Sequence, residues 1–318
     1  MTSSRSDQTL LLAYDGSETA RHAIASAATL LAPPRRARVV FVWEPIAEAL
    51  LRHQAQHFAP ASEVSSEFQA LEASESQRLA DAGAEFARRC GLEAEGVAVR
   101  GSAKGWPTLC ELAEREHAAA IVIGTRGLGR AASALLGSVA AGVIGHAKVP
   151  VLVVPPDPHG VETRQEDVET LIAFDGSEHA ERAVQAVARL ARSRRVTVAT
   201  VWIEYAAQLA ARIAGVGPEL LATDFEQMDS ALRAGARQCA EAGAARAREQ
   251  GLEAQPLAVR ATTSVPEALA ETAQERSAGM IALGRHGHSR IGEFLFGSVT
   301  RKLLHATDRP LLVVPAPR

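Results

Sequence analysis

LLLAYDGSETA (residues 10–20) and TLIAFDGSEHA (residues 170–180) decide the reading of this chain. In each, a short aliphatic run breaks off at Asp-Gly-Ser-Glu, and alanines at helical spacing follow. An apolar run of this length reads as a buried strand, the Asp-Gly pair as a tight turn, and the continuation as a helix. The two copies stand 160 residues apart, Asp15 to Asp175, and the interval recurs. GLEAEGVAVR ends at Arg100 and GLEAQPLAVR at Arg260, and VPVLVVP (149–155) answers to RPLLVVP (309–315). The one slip lies at Trp43 and Trp202, which are 159 residues apart, and a single-residue indel there belongs in a loop.

So long a period excludes a solenoid, whose units reach about 50 residues. It implies two homologous domains in tandem, residues 1–154 and 168–318, joined by the proline- and charge-rich segment 155–167. In the first half LLLAY, RVVFVW, VAVR, AAAIVIG and VPVLVV read as strands. Between them SETARHAIASAATLL, EFQALEASESQRLADAGAEFARRCG, PTLCELAEREH and SVAAGVIGHA read as helices. Gly91 suits a helix C-terminus, and Pro107 and Pro266 a first helical turn. The alternation gives an α/β fold class: two tandem doubly wound domains, each a five-stranded parallel sheet with helices on both faces, Rossmann-like. Ligands of such sheets sit outside the carboxyl ends of the strands.

The 318 residues are 47% hydrophobic and 22% charged, a globular composition. A net charge of -3 offers no bulk attraction to nucleic acid or an anionic membrane. Cys90, Cys110 and Cys239 are scattered, odd in number and without a Cys-x-x-Cys pair, which argues against a secreted disulfide framework. The chain shows neither a signal-peptide core nor a run of ~20 apolar residues. A cytoplasmic protein with no nucleic acid and no membrane partner is expected.

At the expected ligand edge, GTRGLGRAASALLGS (124–138) and GRHGHSRIGEFLFGS (284–298) share one spacing: Gly, two residues, Gly, nine residues, Gly-Ser. Gly124 and Gly284 close the fourth strand, where a missing Cβ lets a ligand approach the backbone. Gly137-Ser138 and Gly297-Ser298 open the fourth helix, where free N–H groups and the helix dipole favour an anion. Ser138 and Ser298 serve equally as plain N-caps, and Gly124 or Gly127 as parts of a tight turn. The same spacing in two copies favours a phosphate-bearing ligand. Asp15 and Asp175 either accept a hydrogen bond from a base or ribose, face a cation, or cap the helix that begins near Ser17. Arg126, Arg130, Arg285 and Arg290 lie in the glycine loops, where arginine binds phosphate or stands in solvent.

Other motifs fall short. No G-x-x-x-x-G-K-S/T is present, and GLGRAA (127–132) fits a dinucleotide pattern that GHSRIG (287–292) does not repeat. His286 and His288 have Arg126 and Leu128 as counterparts, and no partner at ligand spacing, so no metal site is expected. Neither G-x-S-x-G nor H-x-G-H occurs at these loops, and no catalytic residue is assigned.

D-G-S-E after strand one, V-W ending strand two, G-x2-G-x9-G-S after strand four and P-V-L-V-V-P at strand five resemble the universal stress protein family, in its tandem, ATP-binding branch. The resemblance spans nearly all of both halves. It implies a strand order of 3-2-1-4-5 and an adenine nucleotide, ATP, with or without Mg. The implied contacts are Asp15, Val42, Gly124, Arg126, Gly127, Gly137 and Ser138 in one half. In the other they are Asp175, Val201, Gly284, Gly287, Gly297 and Ser298. It also implies pairing of the apolar fifth strands, which would otherwise be bare sheet edges. An intramolecular pseudo-dimer of the two halves is expected, compatible with a homodimer of the chain.

Two function classes follow: a nucleotide-responsive regulatory protein of the stress response, or a slow ATPase or adenylyl-transfer enzyme of the same architecture. A purely structural dimer without ligand gives no reason to keep the glycines.

Overall fold

The computed structural model describes residues 9–32, 36–46, 48, 66–102, 104–127, 136–156, 168–204, 222–286 and 297–316. The chain divides into two units, Met1–Thr163 and Arg164–Arg318. In the first, the described elements run β1 (Leu10–Ala13), α1 (Glu18–Leu30), β2 (Arg36–Trp43), α2 (Ser66–Arg89), β3 (Glu93–Arg100), α3 (Trp106–Arg115), β4 (Ala120–Gly124), α4 (Ser138–His146) and β5 (Val151–Val154). The strands are parallel and ordered β3-β2-β1-β4-β5. The second unit runs β6 (Thr170–Ala173), α5 (Glu178–Leu190), β7 (Arg195–Ile203), α6 (Ala222–Glu249), β8 (Glu253–Ala261), α7 (Val265–Glu275), β9 (Met280–Gly284), α8 (Ser298–Ala306) and β10 (Leu311–Val314). Its order is β8-β7-β6-β9-β10, the same arrangement counted from its own first strand.

The core explains why the first apolar run is a strand. Leu10, Leu11 and Leu12 are each at most 1% exposed. Successive strand residues point to opposite faces, so β1 is covered on both sides. Burying each such side chain contributes about 1.5–3 kcal/mol. Helices α1 and α2 pack on one another and against the sheet, α1 on β1, β4 and β5 and α2 on β2 and β3, while α3 and α4 pack on one another and reach β2 and β5. No helix among the described residues is long and apolar enough to cross a membrane.

Strand three is longer than VAVR, beginning at Glu93. Its first residues, EAEG, alternate charge with small side chains on a partly exposed edge strand, a pattern that apolarity does not reveal. The turn at Gly91 behaves as its sequence suggests. Gly91 has φ +90°, and the Leu92 N–H donates to the Ala87 carbonyl at 3.1 Å, closing α2. Pro107 and Pro266 occupy the first turns of α3 and α7.

The repeat slips twice rather than once. The Glu18 and Glu178 starts of α1 and α5 are 160 residues apart, Arg36 and Arg195 of β2 and β7 are 159, and Glu93 and Glu253 of β3 and β8 are 160 again. The second slip sets Pro107 against Pro266, and α7 has 11 residues where α3 has 10. Helix length absorbs it before β4 and β9. Val42 pairs with Val99 and Val201 with Val259, so the two valines hold equivalent places despite their offset.

Candidate functional site

The Asp-Gly-Ser turn puts the helix cap on serine and leaves aspartate a different task. Ser17 and Ser177 are the N-caps of α1 and α5, their hydroxyls accepting from the N–H groups of Ala20 at 3.1 Å and Ala180 at 3.2 Å. Gly16 and Gly176, at φ +85° and +79°, turn the chain so that the aspartate lies before the cap. Oδ1 of Asp15 and of Asp175 accepts the N–H of the following serine, 3.0 Å away in both halves. The capping alternative for the aspartates is thereby corrected: they brace the turn. The second oxygen of Asp15 faces the glycine loop, since a Cβ placed on Gly127 would stand 2.3 Å from Oδ2.

Ser177 also donates to Asp175 Oδ1 at 2.5 Å. Loss of an N-cap costs roughly 1 kcal/mol. Ser177→Ala removes two bonds, so it is expected to lower stability by about 1–2 kcal/mol, more than Ser17→Ala; urea midpoints of the two variants read the difference.

The strand-end glycines serve a contact that the sequence does not reveal. A Cβ on Gly124 would lie 2.7 Å from Cγ2 of Thr19, and one on Gly284 would lie 2.6 Å from Cβ of His179. The first turns of α1 and α5 therefore occupy the space beside these glycines. Clearance there lets the helix sit against the strand end.

At the far end of each glycine loop, Gly137 and Gly297 are the N-caps of α4 and α8, and Ser138 and Ser298 are the first helical residues. The serines are not N-caps. Neither helix has a side-chain cap or an acidic residue in its first turn. By contrast α1, α5 and α7 each have a serine cap with glutamate in the first turn. A helix end without a carboxylate keeps the full positive end of its dipole. Two backbone bonds set its place: the Gly137 N–H donates to Thr125 O at 2.7 Å and the Gly297 N–H to Arg285 O at 2.8 Å. Ser138 and Ser298 are solvent-exposed, as is Arg126.

In the second unit these pieces surround one cavity of ≈ 350 Å³, lined by Asp175, Val201, Gly284, Gly297 and Ser298. That volume lies in the range of small-molecule sites. Sequence reading missed other parts of the wall: Val265 and Leu269 from α7, Thr200 from β7, Thr300 from α8 and His286 from the loop after β9. The α7 pair gives no motif, being ordinary aliphatic positions of an amphipathic helix. Thr300 is 1% exposed and donates to the carbonyls of Gly284 and Arg285 at 3.4 and 3.3 Å, tying α8 to the end of β9. Gly287, His288, Arg130 and Arg290 lie outside the described residues.

The match to known proteins follows the repeat. The model of the universal stress protein family matches residues 8–155 and again residues 169–315. A universal stress protein from Archaeoglobus fulgidus DSM 4304 is similar in structure with a TM-score of 0.60, at 16% identity over 97% of this chain and 98% of that one. A functionally unknown protein from Pseudomonas aeruginosa PAO1 is similar with a TM-score of 0.52, at 12% identity over 98% and 93% of the two chains. At such identities the structural likeness speaks for the fold, while the family matches together cover most of the chain. With one family domain in each half, the chain belongs to the universal stress protein family.

Proposed function

We propose that each half binds an adenine nucleotide, ATP with or without Mg, and that occupancy changes the protein's conformation or assembly and thereby what it regulates in the stress response. The observation that carries this reading is the second-half cavity. It brings Asp175, Val201 and Gly284 around the same space as an N-terminus of α8 that lacks a side-chain cap and an acidic first turn. Phosphates suit that helix end, where backbone N–H groups and the dipole act together. The apolar flank from Val201, Val265 and Leu269 suits a base, and Asp175 offers an acceptor to a ribose or an exocyclic amine. In the first half Asp15, Val42, Gly124, Arg126, Gly127, Gly137 and Ser138 would hold the ligand in the same manner. Bound nucleotide supplies charge and mass to reorder the loops; the chain's own groups bind and orient it.

The apolar fifth-strand sequences support pairing of the halves, and of two chains, within the same proposal. Sedimentation reports the number of chains. The unbridged cysteines support a cytoplasmic setting.

The test is native mass spectrometry of the purified chain with calorimetric titration of ATP. Bound ATP, at a stoichiometry of one or two per chain, is the expected result. No heat and no retained mass at millimolar ATP would overturn the proposal.

A further inference from the structure

Beside the end of the fourth strand, the second half differs from the first at two neighbouring places. Arg126 is matched by His286, and Thr19, which packs beside Gly124, is matched by His179 beside Gly284. The two rings stand with centroids 6.0 Å apart at 62°. His286 also lines the cavity, together with Asp175, Gly297 and Ser298. A fixed cation in one half thus has a titratable ring as its counterpart in the other.

We propose that His286 is a specificity-determining residue of the second-half site, taking up a proton as a phosphate-bearing ligand enters, so that this site binds more tightly in acid while Arg126 leaves the first site indifferent to pH. The inference rests on the nucleotide reading above and deepens it. The groups around His286 decide the direction. Arg285 lies beside it on its own loop, His179 faces it from α5, and Asp175 shares the cavity from the turn after β6. The α7 and α8 residues that line the cavity, Val265, Leu269, Ser298, Val299 and Thr300, are uncharged.

Burial, reinforced by the charges of Arg285 and His179, pushes His286 below its ordinary value of 6.5. The ring is therefore neutral in the free protein at pH 7. A phosphate in the cavity counters the charge of Arg285 and attracts the imidazolium, which raises the value in the complex. A group whose bound value exceeds its free value adds affinity that is complete below the free value. That gain disappears as pH rises through the bound value. One unit of difference corresponds to about tenfold in affinity.

The experiment follows the imidazole resonances of the whole chain by NMR across pH 5–8.5, with and without saturating ATP. Loss of one resonance in His286→Gln assigns the ring. ATP is expected to raise the His286 titration by about one unit, and second-site affinity to grow several-fold from pH 8 to pH 6, toward a limit of about tenfold below the free value. His286→Gln loses that growth, and His286→Arg binds tightly at both pH values, with His179 as reporter in the two variants. The terminal phosphate's own titration is common to all three proteins and drops out of the comparison. An unmoved His286 titration in protein that calorimetry shows to be saturated would overturn this inference alone. ATP that binds at no pH would overturn the nucleotide reading and this inference together.

Discussion

Gly284→Val is expected to destabilise the second unit by about 3 kcal/mol, the upper end of ordinary overpacking costs. The new Cβ would stand 2.6 Å from Cβ of His179, 2.9 Å from its carbonyl carbon and 3.0 Å from its carbonyl oxygen. Two of those three atoms are backbone in the first turn of α5, so no side-chain rotation relieves the clash, and α5 must shift away from the end of β9. Differential scanning calorimetry should show the melting temperature falling by about 6–12 °C. The equivalent Gly124→Val should cost less. There the nearest atom, 2.7 Å away, is the Thr19 methyl, which can turn aside, and the backbone oxygen stands back at 3.2 Å. Equal losses at the two positions would show that helix–strand contact is not what these glycines protect. Because α5 carries His179 and follows the Asp175 turn, the Gly284 variant should also lose ligand affinity in the second half.

Gly127→Val separates binding from stability. Its Cβ would meet Asp15 Oδ2 at 2.3 Å, and that oxygen must swing out of the loop, away from where a ligand would meet it. Gly127 is exposed and follows β4, so the folded core has little stake in it. A hydrogen bond to a charged group contributes about 1.5–3 kcal/mol, so first-site affinity for ATP should fall roughly 10- to 100-fold. The melting temperature should stay near that of the parent chain. Titration calorimetry resolves the two sites, and the second should keep its affinity. Parent-like binding at both sites would remove Gly127 and Asp15 from the wall of the first site. Gly287, outside the described residues, is expected to play the matching part in the second half.

The residues most legible in sequence are those whose role is local. LLLA and TLIA read as strands because a short aliphatic run buried on both faces has few other uses, and Gly91 reads as a helix end because its left-handed backbone leaves a compositional mark. Asp15 was ambiguous for the opposite reason. In Asp-Gly-Ser both polar side chains can cap a helix, and only the positive φ of Gly16 assigns the cap to Ser17. Gly137 and Ser138 exchange roles by one residue, a shift that spacing alone does not resolve. Partners distant in sequence were hidden altogether. Nothing in the spelling of Gly284 announces His179, and Val265 and Leu269 become a cavity wall only once α7 has crossed to the ends of β7 and β9. The second slip of the repeat escaped because an added residue inside a helix changes no motif.

The clamp at the neck of each glycine loop has a consequence for how these loops can change. The bonds from Gly137 to Thr125 and from Gly297 to Arg285 close the loop at its base in both halves. With closure fixed there, an altered insert bears only a slowly growing chain entropy as it lengthens. LGRAASALL and HSRIGEFLF, the nine-residue inserts, duly share almost no letters. The neck is therefore a graft point: a foreign loop spliced between Gly127 and Gly137 would leave the α4 N-terminus in place, so new selectivity can be written there without rebuilding the fold.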